Sequence, residues 1–133
     1  MKLSSLLEAK PQRDYEYRKE AQVIFNKIIN YLKGGFIHIE KLGELSNTDE
    51  VYLSDFEHIF PQYKDLEISV GKREIGAYFS KNSYTGKYAI YFDVWNNSTN
   101  QFLEDHKIKE YFVHEFIHYL DQKRSKQADI KGT

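Results

Sequence analysis

Hydrophobic and polar positions follow three successive rhythms along this chain. Between Tyr15 and Leu32, the apolar residues Ala21, Phe25, Ile28, Ile29 and Leu32 recur every three or four positions, which turns one face of a helix toward a core. Pro11 can open that helix, because its fixed φ suits a first turn, and Gly34-Gly35 ends it. Phe36 to Leu42 is short and apolar-rich and reads as a strand, while Ser54-Asp55-Phe56-Glu57 fits a capping box and predicts one or two helical turns before Pro61. The rhythm then shortens to two. Leu66, Ile68 and Val70, next Ile75, Ala77 and Phe79, and last Tyr88, Ile90, Phe92 and Val94 occupy alternate positions, as strands with one buried face require. Ile75 to Lys81 and Tyr88 to Trp95 are expected to pair as a hairpin around the loop Asn82-Ser83-Tyr84-Thr85-Gly86-Lys87. Asn96-Asn97-Ser98-Thr99-Asn100 is turn-forming and supplies helix caps. A last helix follows from Phe102 or Asp105 to about Lys126, and the hairpin should pack its inward face on Phe112 and Phe116.

At 133 residues this order fits one α+β domain with enough bulk for a core, since eleven Tyr and nine Phe offset a polar average. The absence of cysteine removes disulfides, thiolate nucleophiles and cysteine metal sites together. Any metal must sit on His, Asp or Glu. With 19 basic and 20 acidic side chains, no global field favours nucleic acid or an anionic membrane, so neither is an expected partner. Residues Met1 to Lys10 contain no continuous apolar run, so no signal peptide or membrane span is expected there.

The chemistry is concentrated in the last helix. His114-Glu115-Phe116-Ile117-His118 spells HExxH. At about 100° per residue the two histidines lie about 40° apart on one face, and Asp121 falls within roughly the same arc. Phe112, Val113, Phe116, Ile117 and Leu120 fill the broad remaining face, so one side can be buried while the other lines a cleft. A one-turn separation lets two neutral imidazoles converge on one zinc ion, with Glu115 offset to act on a water as general base. Asp121 is open to three readings: a third ligand, a partner that orients a ligand imidazole, or an ion pair with a residue such as Arg124. His38, His58 and His106 read as solvated or hydrogen-bonded side chains, Glu110 as a solvated helix charge, and Lys123-Arg124-Ser125-Lys126 as a run favoured by the helix C-terminal dipole.

Tyr111-Phe112-Val113-His114-Glu115-Phe116-Ile117-His118-Tyr119-Leu120-Asp121, with Arg124 after it, resembles the active helix of small HExxH zincins of the gluzincin kind, including metallopeptidase-like proteins of bacteriophages and prophages. The resemblance is sharp over roughly the last 25 residues and architectural before them. It implies a zincin-like fold: an N-terminal helix, a small twisted sheet with mostly antiparallel edges, and then the active helix. It assigns zinc to His114 and His118, the general base to Glu115, and metal-assisted hydrolysis of a peptide or protein substrate to the whole. The edge strand of such a fold pairs with an extended substrate, and Ile75, Gly76, Ala77, Tyr78, Phe79 and Ser80 are the candidates by chain order. Gluzincins take their third ligand from a Glu on a later helix; nothing after Asp121 matches it, and Asp129 lacks the context, so the ligand is expected in a C-terminal subdomain beyond residue 133. The alternative is a non-catalytic structural or interaction protein that retains the fold, such as a virion component among other virion proteins. Either reading places the chain in the host cytoplasm or the virion.

Overall fold

A computed structural model describes the backbone of residues 2–36, 39–53 and 56–132, and side chains within 13–34, 42–53 and 56–124. The elements in chain order are α1 (Lys2–Tyr31), a π-helical turn (Leu32–Phe36), α2 (Ile39–Glu44), β1 (Glu50–Tyr52), α3 (Phe56–Ile59), a 3₁₀ turn (Pro61–Tyr63), β2 (Leu66–Gly71), β3 (Ala77–Lys81), β4 (Tyr88–Asp93), β5 (Trp95–Asn96), β6 (Gln101–Phe102) and α4 (Asp105–Gly132). The class is α+β. Among the described residues no helix is long and apolar enough to cross a membrane.

The main sheet runs β1-β2-β4-β3, with β2 and β4 parallel at its centre and β1 and β3 antiparallel at its edges. Register explains the alternation seen in the sequence. Ile68 lies opposite Ile90, which lies opposite Phe79, and Val70, Phe92 and Ala77 form the next row; these rows join the core. Ser69, Tyr91 and Tyr78 form the intervening row on the other face. Tyr91 is nevertheless fully buried, because Tyr78 stacks on it at 5.4 Å and the Arg73 guanidinium lies 5.4 Å from its ring centre. Central parallel strands are covered on both faces in this way.

Two long helices close the core side. Phe112 of α4 meets Phe92 of β4 at 5.5 Å and Phe25 of α1 at 6.1 Å, and Phe116 follows at 5.2 Å from Phe112. Polar contacts then fix the helices to each other. Arg124 donates to both oxygens of Glu20 at 3.0 Å, the Tyr63 hydroxyl donates to the same carboxylate at 2.6 Å, and Arg13 pairs with Asp121 at 3.6 Å. Lys33 and Asp105 join the end of α1 to the start of α4.

Several boundaries differ from the sequence reading. The first helix begins at Lys2, with Pro11 inside it rather than opening it; proline's fixed φ is helical, and the cost is one missing hydrogen bond. At the Gly34-Gly35 end the chain widens into a π turn instead of stopping. The segment Ile39 to Leu42, expected as part of a strand, is helical and carries Leu42 into the core; a short apolar run has no period to distinguish the two. Ser54 and Asp55 of the capping box, and His38, lie outside the described residues, whereas the one-turn helix the box predicts is present. Phe102 belongs to the small β5–β6 hairpin, not to the last helix, and α4 continues to Gly132. Lys123 and Arg124 therefore do not sit at a helix end. Lys123 donates to Asp65 at 3.1 Å, and Arg124 serves Glu20.

Phe112→Ala should cost about 3–5 kcal/mol, because its ring touches both α1 and β4; denaturant unfolding measures it, and a loss below 1 kcal/mol would contradict this packing. A second expectation concerns alkaline pH. Burial, and after it hydrogen bonding to Glu20, Asp93 and Asp65, holds the hydroxyls of Tyr63, Tyr91 and Tyr119 protonated well above the usual phenol range. The folded chain therefore keeps protons that the unfolded chain releases above about pH 10, so stability is intact below that pH and falls as pH rises beyond it. In a tyrosinate absorbance titration these three should ionise only as helical circular dichroism is lost. Free ionisation of all tyrosines in a folded chain would refute the assignment.

Candidate functional site

The rotation of α4 about its axis separates its residues into two sets. Ile108, Phe112, Val113, Phe116, Tyr119 and Leu120 are buried, whereas Glu110, His114 and His118 are exposed. The His114 side chain is 71% accessible, and that of Glu115, between the two sets, only 12%. Two imidazoles thus face solvent beside a sheltered carboxylate.

Their spacing is the central geometric fact. The Nε2 atoms of His114 and His118 are 3.1 Å apart, with ring centres at 4.7 Å and ring planes at 84°. Two nitrogens bound to one tetrahedral zinc at 2.0–2.1 Å would be about 3.3 Å apart. The observed separation is close to that value, and in the structure the two ring nitrogens meet as a hydrogen bond, one donating and the other accepting. Glu115 Oε1 lies 4.0 Å from His114 Nε2, within reach of a water held near the pair.

The remaining positions are not filled by this cluster. Among the described residues, no three His, Asp or Glu side chains come together in an arrangement able to hold a metal. Asp121 is not gathered with the histidines, and its carboxylate pairs with Arg13 rather than Arg124. The Asp129 side chain lies outside the described residues. His58 is exposed on α3, and His106 pairs with Glu104 at 3.3 Å.

Beside the histidines runs the free edge of the sheet. Among the described residues β3 is the last strand in the order, and no further strand of the sheet pairs with its outer side. Of the candidate substrate residues, Ala77, Tyr78, Phe79 and Ser80 lie in this strand, whereas Ile75 and Gly76 belong to the bend before it. That bend has a structural cause. Gly76 has φ +84°, where an L side chain is strained, and an added Cβ would crowd the Tyr111 ring at 3.3 Å. Gly76 N–H donates to the buried Asp93 carboxylate at 2.7 Å, and the Asp93 N–H returns a bond to the Gly76 carbonyl at 2.8 Å. Tyr111, one turn before His114, thus packs against the start of the edge strand.

Further along, the Phe79 ring lies nearly parallel to the His118 imidazole, 6.5 Å between centres and 20° between planes. In the sequence Phe79 stands as a substrate-strand candidate and Tyr111 only as part of the active-helix resemblance, and nothing there singles out Asp93. Register alone could have indicated Phe79, since the alternation that buries Ala77 puts Phe79 on the same face. No local signal marks a pairing between Gly76 and Asp93, which are seventeen positions apart.

No protein-family model matches this chain, and no curated protein or solved structure matches it either.

Proposed function

We propose that this chain is a zinc-dependent peptidase with a zincin-like fold, of the gluzincin-like kind found in small phage and prophage proteins. The observation that carries the reading is the 3.1 Å separation of the His114 and His118 Nε2 atoms on the exposed side of α4, with Glu115 held 4.0 Å away. His114 and His118 hold the metal, and a zinc ion in that position supplies Lewis acidity toward a carbonyl and a water. Glu115 takes the proton of the attacking water and returns it to the departing amine. Partial burial suits that role, because a carboxylate with few competing water contacts keeps its orientation toward the one it must deprotonate.

The free edge of β3 supports the choice of substrate. An extended peptide can add to the edge strand of a sheet, and β3, the last strand in the order, lies close enough to α4 for Phe79 to meet His118. Peptide is thus the substrate class this arrangement accommodates, without a preference for particular side chains.

A second reading is favoured by one observation, that the described residues bring only two metal donors together. A structural or interaction protein, such as a virion component, can retain the helix and sheet while lacking a working metal centre. Metal content separates the two readings.

Zinc bound by the protein, weakly where only the two histidines hold it, should be lost in both His114→Ala and His118→Ala. Glu115→Gln should keep the zinc and lower peptide hydrolysis by roughly 10²–10⁴-fold. Elemental analysis of the three variants, with cleavage of an unstructured protein substrate, is the measurement. Equal zinc in wild type and His114→Ala would sink the metal assignment, and full hydrolysis by Glu115→Gln would remove the general base.

A further inference from the structure

An exposed histidine ordinarily samples several rotamers, and a pair of ligands is useful only while both rings point at the same place. His118 is exposed, yet one face of its ring is met by Phe79 at 6.5 Å and 20°, within the range of offset aromatic stacking. Phe79 is itself held. Its other neighbour is Tyr88 across the hairpin, stacked at 5.7 Å and 12°, and Tyr88 meets Tyr119 edge-on at 5.4 Å. The Tyr119 hydroxyl donates to Asp65 at 2.6 Å, and Lys123 donates to the same oxygen. A series of rings thus runs from a buried anchor on α4, through β4 and β3, back to the imidazole one residue before that anchor.

We propose that Phe79 is a positioning residue for His118: it limits the imidazole to the orientation in which Nε2 faces His114 Nε2. The proposal goes beyond the zinc reading in placing part of the ligand geometry on the sheet edge instead of on α4. It rests on that reading for its metal consequence only, since the orientation of a ring can be observed without metal. In this role the Phe79 ring is not a metal ligand. It acts through His118.

The alternation along β3 gives the role a further consequence. Ala77 and Phe79 face the helix while Tyr78 faces the opposite side and stacks on Tyr91, so a displacement of the edge strand moves Phe79 and with it the restraint on His118. The metal pair and the strand edge are therefore coupled, and by linkage whatever orders one favours the other.

The test uses the full chain and three variants, Phe79→Leu, Phe79→Ala and Phe79→Tyr, with thermal unfolding to verify that each is folded. In metal-free protein, proton NMR of His118 should show the ring-current displacement expected beneath an aromatic face, retained in Phe79→Tyr and lost in Phe79→Leu. Zinc titration with a competing chelator should show roughly 10-fold weaker binding for Phe79→Leu and recovery in Phe79→Tyr. If Phe79→Ala does not fold, the Leu and Tyr pair still decides. A His118 signal without ring-current displacement in wild type, or Phe79→Leu binding zinc as tightly as wild type, overturns the proposal. A displaced His118 signal that responds to the substitutions, in a chain that retains no zinc, supports the positioning role and instead removes the zinc reading.

Discussion

The Phe112 ring sits between Phe25 of α1 and Phe92 of β4, and that sandwich sets the rotation of α4 about its own axis. A helix offers only about 100° of turn between neighbours, so burying Phe112 and Phe116 leaves no choice about where His114 and His118 go. They must emerge on the far side. Glu115, adjacent in sequence to both sets, is left at the boundary and is mostly buried. The exposure of two histidines and the sheltering of one carboxylate are therefore consequences of core packing, not separate arrangements.

What the core fixes in rotation, polar contacts fix in translation. Arg124 with Glu20, and Lys123 and Tyr119 with Asp65, tie the second half of α4 to α1 and to the start of β2. Gly76 and Asp93 lock the entrance of β3 onto the end of β4, where Tyr111 packs against it. The start of β3 is consequently held near Tyr111, and the start of β2 near Tyr119 and Lys123. A surface ion pair would contribute little alone, but these carboxylates accept two or three donors each, and losing one donor leaves a partly buried charge short of partners.

The long strands and helices were legible because each buries one face, and a buried face imposes a period on the residues that form it. Leu66, Ile68 and Val70 could be placed on one side of a sheet before any contact was known. β1 was not legible, since Glu50 to Tyr52 offers one apolar residue, Val51, to the core and no repeat. Phe36 to Leu42 misled for the same reason. The histidine pair and Glu115 were readable as a local spacing on one helix, whereas the pairings that surround them were not. Arg13 with Asp121, Phe79 with His118 and Gly76 with Asp93 depend on how separate elements meet, and a linear pattern contains no record of that meeting.

Asp121 shows how helix geometry limits what one element can contribute. With a rise of about 1.5 Å per residue, His114 and His118 are about 6 Å apart along the axis, and Asp121 lies about 4.5 Å farther on. Two long imidazoles can lean toward a shared point between them, as their 3.1 Å separation shows. A short carboxylate beyond the second one cannot reach that point from the same straight helix. Its position instead suits Arg13, which approaches from α1. A further protein ligand to the histidine pair would come from a segment other than this stretch of α4.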